Sequence, residues 1–240
     1  MRDAIAKIVE RFLSDVDRAL GQGYAAVLYG SAVRGDWLEG RSDINLLLVA
    51  GALPPSTLRA LGPAFGGWRK ATPEPPLLLT DDEWRAAGDS FPLEITDMRT
   101  AYQVLRGADP LAEVRVAPAD LRLALEREAR GKLLRLRQGY TVLSRDPVGL
   151  GRVAAESVST VLLLGRALLV LLGREPPSDP VSLADAIAGL VGFPSEALAE
   201  VVRHRRERRR RSTAAQFEAY LDALERLTRY LDQLQLGDVR

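Results

Sequence analysis

The chain has 240 residues, 47% of them apolar and 27% charged, with a formal net charge of +1. Such a balance suits one sizeable folded domain or two modest ones and sets disordered and fibrous classes aside. With no cysteine, disulfides, thiolate zinc sites and a cysteine nucleophile are excluded, and a histidine-based metal site or serine triad would have to use the single His204 inside an arginine run, so metal chemistry is expected to fall to carboxylates.

Asp3, Glu10, Asp15 and Asp17 interrupt the first twenty residues, unlike a secretory signal or transit peptide, and a cytoplasmic location is the expectation. Ile5, Ile8, Val9, Phe12, Val16 and Leu20 recur at three- and four-residue spacing before Gly21, which predicts an opening amphipathic helix with a glycine stop. Residues 24–29, an apolar run ending at Gly30, predict a buried strand. Residues 43–50 predict a second strand, with Asp43, Asn45, Leu47 and Val49 on one face and only apolar residues on the other. A helix is expected from Pro54-Pro55-Ser56 to about Lys70, although Gly62-Pro63 and Gly66-Gly67 weaken it. Residues 76–79 read as a third strand, Thr80-Asp81-Asp82-Glu83 as the cap of a short helix, and residues 91–98 as a fourth strand, with 101–105 extending the sheet.

From Pro118 the periodicity becomes helical, over about 119–144, 150–173, 180–191, 195–210 and 213–235. The most apolar part, 157–173, is broken by Arg166 and is short for a membrane span of about 20 residues, so it reads as a buried helix with no membrane partner. There are 13 basic and 16 acidic residues before Pro118, and 20 basic and 16 acidic from there on. Charge and periodicity thus change together, dividing the chain into domains 1–117 and 118–240. The expected fold class is α+β, a mixed sheet with flanking helices, followed by an all-α bundle.

The chemistry concentrates in LYGSAVRGDWLEGRSDINLLLV. Gly30 lets the backbone turn tightly and approach a phosphate, and Ser31 adds a hydroxyl and an amide donor. If a short helix begins at Ala32, its first amides also face that anion. Asp43 and residue 45 point the same way, about 6.6 Å apart by strand rise. Two carboxylates so placed can hold metal ions that clamp both oxygens of an in-line phosphoryl displacement, but residue 45 is asparagine. A third acid is expected from 92–97. On a strand Glu94 shares its face with Thr96, and Asp97 shares the opposite face with Leu93 and Ile95. Glu94 is therefore the candidate, with Asp97 structural and paired to Arg99.

The segment resembles the nucleotidyltransferase motif of the DNA polymerase β superfamily, a Gly-Ser turn followed by two acidic residues one apart and a third acid downstream. FPLEITDMRTAYQVLRGADPL with a helical domain after it is similar to bacterial relatives of the aminoglycoside nucleotidyltransferases, and the helical half resembles HEPN-like bundles in pattern. The resemblance implies transfer of a nucleoside monophosphate from a nucleoside triphosphate to a hydroxyl acceptor, with magnesium and no covalent enzyme intermediate. It assigns Gly30, Ser31, Arg34 and Ser42 to the nucleotide, Asp43 and Glu94 to catalysis, and Asp43, Asn45 and Glu94 to metal.

An amide oxygen can ligate magnesium but brings no negative charge. Two readings stay open: an active enzyme, and a binding or regulatory module that keeps the fold without the chemistry. Arg34 and Arg41 can reach phosphates, whereas Arg34-Gly35-Asp36 can equally pair internally. The run 203–211 contains seven arginines and can bind RNA through counterion release. With no interleaved aromatic platform, a solvated helix end is the preferred reading. The long apolar helices are compatible with a homodimer.

Overall fold

In a computed structural model the described residues are 3–40, 42–207 and 211–235. The chain divides into two compact units, Met1–Val116 and Ala117–Arg240.

In the first unit α1 (Asp3–Leu20) leads into β1 (Tyr24–Tyr29), α2 (Ser31–Arg34), β2 (Asn45–Ala50), α3 (Pro55–Trp68), β3 (Leu77–Thr80), α4 (Asp81–Ala86), α5 (Pro92–Thr100) and β4 (Tyr102–Arg106). The strands form one mixed sheet in the order β3-β2-β1-β4. β1 runs antiparallel to β2 and β4, and β2 runs parallel to β3. Period-two alternation then sorts the side chains. Tyr24, Ala26, Leu28, Leu46, Leu48 and Ala50 pack with α1 and α3 on one face, where Phe12 meets Trp68 at 4.8 Å between ring centroids. Val27, Leu47 and Val49 pack with Trp84 of α4 and Ile95 and Met98 of α5 on the other. The sheet is covered on both sides, and α3 continues through Pro63 because Leu61, Ala64 and Trp68 are buried along its stripe.

The segment around Glu94 departs from the expected strand: Pro92–Thr100 is a helix. Pro92 occupies a first-turn position, where its missing N–H costs no bond and its fixed φ suits a helix. Thr96 and Thr100 return their hydroxyl protons to the Pro92 and Asp97 carbonyls at 2.7 Å each, satisfying groups that would otherwise oppose a helix. The misleading alternation arises because Leu93, Ile95, Thr96, Asp97 and Met98 are all buried, so the helix has no simple polar face to read. The short helix after Thr80 carries the expected capping box, with Thr80 and Glu83 bonding reciprocally.

The second unit consists of α6 (Pro118–Leu143), α7 (Pro147–Leu171), α8 (Pro180–Val191), α9 (Glu196–Glu207) and α10 (Ala214–Gln233). By length and composition α7 is apolar enough to cross a membrane, yet most of its apolar window is buried inside the protein. A Cβ on Gly165 would lie 2.0 Å from Ile187 Cδ1, so glycine lets α7 and α8 approach closely. Ser157 and Tyr220 share a buried hydrogen bond of 2.8 Å, joining α7 to α10. In the arginine run, Arg203 pairs with Glu196 and Arg206 with Asp179. Residues 208–210, central to the RNA reading, lie outside the described residues.

Candidate functional site

β1 ends where β2 begins, because the two are antiparallel neighbours with Tyr29 opposite Asn45. β4 brings its first residue, Tyr102, beside Tyr29. The parallel pairing of β3 with β2 places the approach to β3 at the same end of the sheet. The Gly30 turn, the 43–45 segment and the loop holding Glu74 therefore meet along one edge. The face concerned is that of α5, since Tyr29 packs with Ile95 and Met98.

Gly30 has φ 74°, the left-handed region that favours glycine. Its N–H donates to the Ala101 carbonyl at 2.9 Å, and its own carbonyl accepts from Val33 and Arg34. The turn is thus closed by backbone bonds, while the amides of Ser31 and Ala32, at the start of a helix, have no intrahelical acceptor. A Cβ at residue 30 would lie 3.0 Å from Asn45 Nδ2. Only a residue without a side chain leaves this space between the turn and the Asn45 amide.

Asp43 and Glu94 are exposed, and Asn45 is half-buried. Among the described residues, the side chains of Ser31, Asp43, Asn45 and Glu94 make no hydrogen bond or ion pair with the protein. No described residue competes with a ligand for their polar atoms. Asp43 lies two residues before β2, which starts at Asn45 and not at residue 43 as expected. Glu94 lies in the first turn of α5. On a helix Glu94 and Asp97, three apart, fall on neighbouring positions of one side, which corrects the opposite faces expected of a strand.

Two residues assigned to nucleotide are engaged otherwise. Ser42 Oγ accepts the Leu38 N–H at 3.0 Å, while Ser42 N–H returns to the Leu38 carbonyl at 2.9 Å, closing the loop between the strands. Arg34 turns inward: Nε pairs with Asp36 at 3.2 Å and Nη1 lies 3.9 Å from Asp97. Asp97 is thus paired with Arg34, while Arg99, its expected partner, donates to the carbonyls of Leu111 and Val114. Arg41 lies outside the described residues.

The sequence reading missed Tyr29 and Glu74. Burial holds the Tyr29 phenol well above the usual tyrosine range, and the nearby charges of Glu94, Asp97 and Glu74 push it the same way. Tyr29 is a neutral hydrogen-bond donor beside the acids at any ordinary pH. Its position next to Gly30 on an alternating strand was a usable signal. Glu74 offered none: it sits in a loop anchored by a Trp68 Nε1 bond to its carbonyl at 2.7 Å.

No family model and no curated protein matches the sequence. Among solved structures, the chain is similar to the spectinomycin adenyltransferase AAD(9) from Enterococcus faecialis, solved with ATP and spectinomycin. The TM-score is 0.59 at 13% identity, over 92% of this chain and 98% of that one. The fold is that of a nucleotidyltransferase. The likeness spans both the mixed-sheet unit and the helical unit, as the coverage of both chains requires.

Proposed function

We propose that this chain binds a nucleoside triphosphate at the Gly30-Ser31 turn and transfers its nucleoside monophosphate to a hydroxyl acceptor. The observation that carries this reading is the convergence on one sheet edge of a left-handed glycine turn with polar side chains, Ser31, Asp43, Asn45 and Glu94, that have no protein partner among the described residues. Solvent reaches these groups, so a ligand can take them by displacing water without breaking a bond to a described residue. That the neighbour in fold was solved with ATP and spectinomycin supports a nucleotide and makes spectinomycin the first acceptor to try.

Among the described residues no three acidic or histidine side chains gather as a ready metal cluster. Magnesium is commonly held by one or two carboxylates, with water and substrate phosphates completing its shell. Asp43, the Asn45 amide oxygen and Glu94 fit a cation that arrives with the triphosphate better than a resident one. When bound, it supplies charge neutralisation for the phosphoryl oxygens. The Asn45 amide can alternatively donate N–H to a phosphate oxygen. Glu94 takes the proton from the acceptor hydroxyl as that oxygen bonds to the α-phosphorus and pyrophosphate leaves.

The amide at residue 45 and the absence of a three-acid cluster among the described residues favour a second reading, a binding or regulatory module with the same nucleotide site. Calorimetric titration with a non-hydrolysable triphosphate and magnesium tests the site itself. Binding by wild type that is lost in Asp43→Ala is expected; no binding, or binding unchanged in Asp43→Ala, would sink the assignment. Pyrophosphate release with spectinomycin, abolished by Glu94→Gln, supports the enzyme. Nucleotide binding with no release across a panel of hydroxyl acceptors favours the module.

A further inference from the structure

The inward-turned Arg34 links the two elements that carry the site. α2 bears Ser31 in its first turn and Arg34 in its last, while α5 bears Glu94 in its first turn and Asp97 one turn later. Arg34 Nη1 lies 3.9 Å from Asp97 Oδ1 and donates to Thr100 Oγ1 at 3.5 Å. Asp36 holds the other side of the guanidinium at 3.2 Å. The three charged side chains are only 9%, 16% and 12% exposed. Thr100 returns its hydroxyl proton to the Asp97 carbonyl, and the Gly30 N–H bonds to Ala101, just past the helix.

We propose that Arg34 and Asp97 form a positioning clamp that sets the separation between the Gly30-Ser31 turn and Glu94. Ser31 lies one helical turn from Arg34, and Glu94 one turn from Asp97, so the ion pair spans the two elements close to both groups. The Gly30 bond to Ala101 and the burial of Ala32 in the core hold the start of α2. The partly desolvated contacts of Arg34 with Asp97 and Thr100 hold its last turn against α5, and restraint at both ends opposes a rotation that restraint at one end allows. A mismatch of about 1 Å between reacting groups can cost about 100-fold in rate, which gives such a restraint a use. Arg34, so held, is not a phosphate ligand.

The clamp deepens the nucleotide reading and rests on it for its functional consequence, but its mechanical part is separately measurable. Asp97→Asn, Arg34→Gln and the double variant are compared with wild type by amide hydrogen exchange of residues 30–35 and by titration with ATP and magnesium. Faster exchange of that segment in Asp97→Asn, by about tenfold or more for a lost local restraint, is expected. Nucleotide affinity should fall in both single variants, with little further loss in the double, because coupled groups are non-additive.

The sign for Asp97 is decisive. Removing a carboxylate near a polyanion strengthens binding by Coulomb's law alone, so weaker binding in Asp97→Asn reports lost geometry. Tighter binding in Asp97→Asn with weaker binding in Arg34→Gln would overturn the clamp and make Arg34 a direct phosphate contact. Unchanged exchange at residues 30–35 would also overturn it. If Arg34→Gln fails to fold, Asp97→Asn alone decides by these same two readouts. Faster exchange in a protein whose wild type does not bind ATP would leave the clamp standing and remove the nucleotide reading.

Discussion

Asn45→Asp is the most informative single change because it alters charge and almost nothing else. The side chains are nearly isosteric, so the 3.0 Å space between the residue 45 side chain and the Gly30 α-carbon substituent position is not invaded. No hydrogen bond is lost, since the amide makes none with the described residues. What changes is repulsion. Asp43 lies two residues away, roughly 6.6 Å along an extended chain. At that separation two unit charges repel by about 0.6 kcal/mol in water and about 2.5 kcal/mol at an effective dielectric near 20. Glu94, Asp97 and Glu74, which all act on the cross-strand neighbour Tyr29, add to it with the same sign. For a chain of this length about 1 kcal/mol moves the melting temperature by about 2–4 °C. The metal-free variant should therefore melt roughly 1–10 °C below wild type. Magnesium with ATP should recover more than this loss, because a cation converts repulsion into coordination and ligand binding adds stability by mass action. Thermal melts in chelator, in magnesium with ATP, and in sodium chloride of matched ionic strength separate coordination from simple screening. A variant that melts at or above wild type in chelator, or that gains no more from magnesium than from sodium, would refute the acidic-edge assignment.

Two further changes probe the turn and the helical unit. Gly30→Ala must hold an L-residue at φ 74° with its Cβ 3.0 Å from the Asn45 amide; a loss of about 1–2 kcal/mol in urea unfolding is expected, and ATP binding should be lost with it. An unchanged urea midpoint would show that the turn is not constrained as described. Asp179 caps α8 by accepting from Val181 and Ser182 and pairs with Arg206 at 3.0 Å. The Ser182 backbone bond, aided by Arg206, holds its carboxyl below the ordinary 3.8 against a smaller opposing desolvation effect. A carboxyl depressed on folding stabilises at neutral pH and loses that contribution as pH falls through the folded value. Asp179→Ala should thus cost about 1 kcal/mol at pH 7, and the gap from wild type should close below pH 3.8. A gap that stays constant into strong acid would exclude the charged cap.

The elements that could be read from residues alone are those whose pattern has one physical cause. α1 shows a single apolar stripe ending at Gly21, β1 a short apolar run ending at Gly30, and the Thr80 cap a box with both partners in place. At α5 two causes overlapped. Ile95 and Met98 face the sheet while Asp97 is buried against Arg34, so burial on several sides mimicked the alternation of a strand. Pro92 was the residue that distinguished them, since it suits a first helical turn and removes a donor from a sheet.

The site was legible to the extent that its parts are adjacent in sequence. Gly30, Ser31, Asp43 and Asn45 lie where one strand ends and its neighbour begins, and their spacing alone suggested the edge. The role of Arg34 depended on a partner 63 positions away, and local spacing could not choose between a phosphate and Asp97. The distinction matters chemically. A cation turned toward the proposed nucleotide would offset the charge missing at residue 45, whereas a cation spent on Asp36 and Asp97 does not. On the proposed reading Asn45 then acts in a site to which Arg34 brings no free positive charge. If the proposed site holds a triphosphate with magnesium, the absent carboxylate would lower the repulsion the triphosphate meets while weakening the hold on the cation, so nucleotide binding should tolerate the amide better than catalysis does.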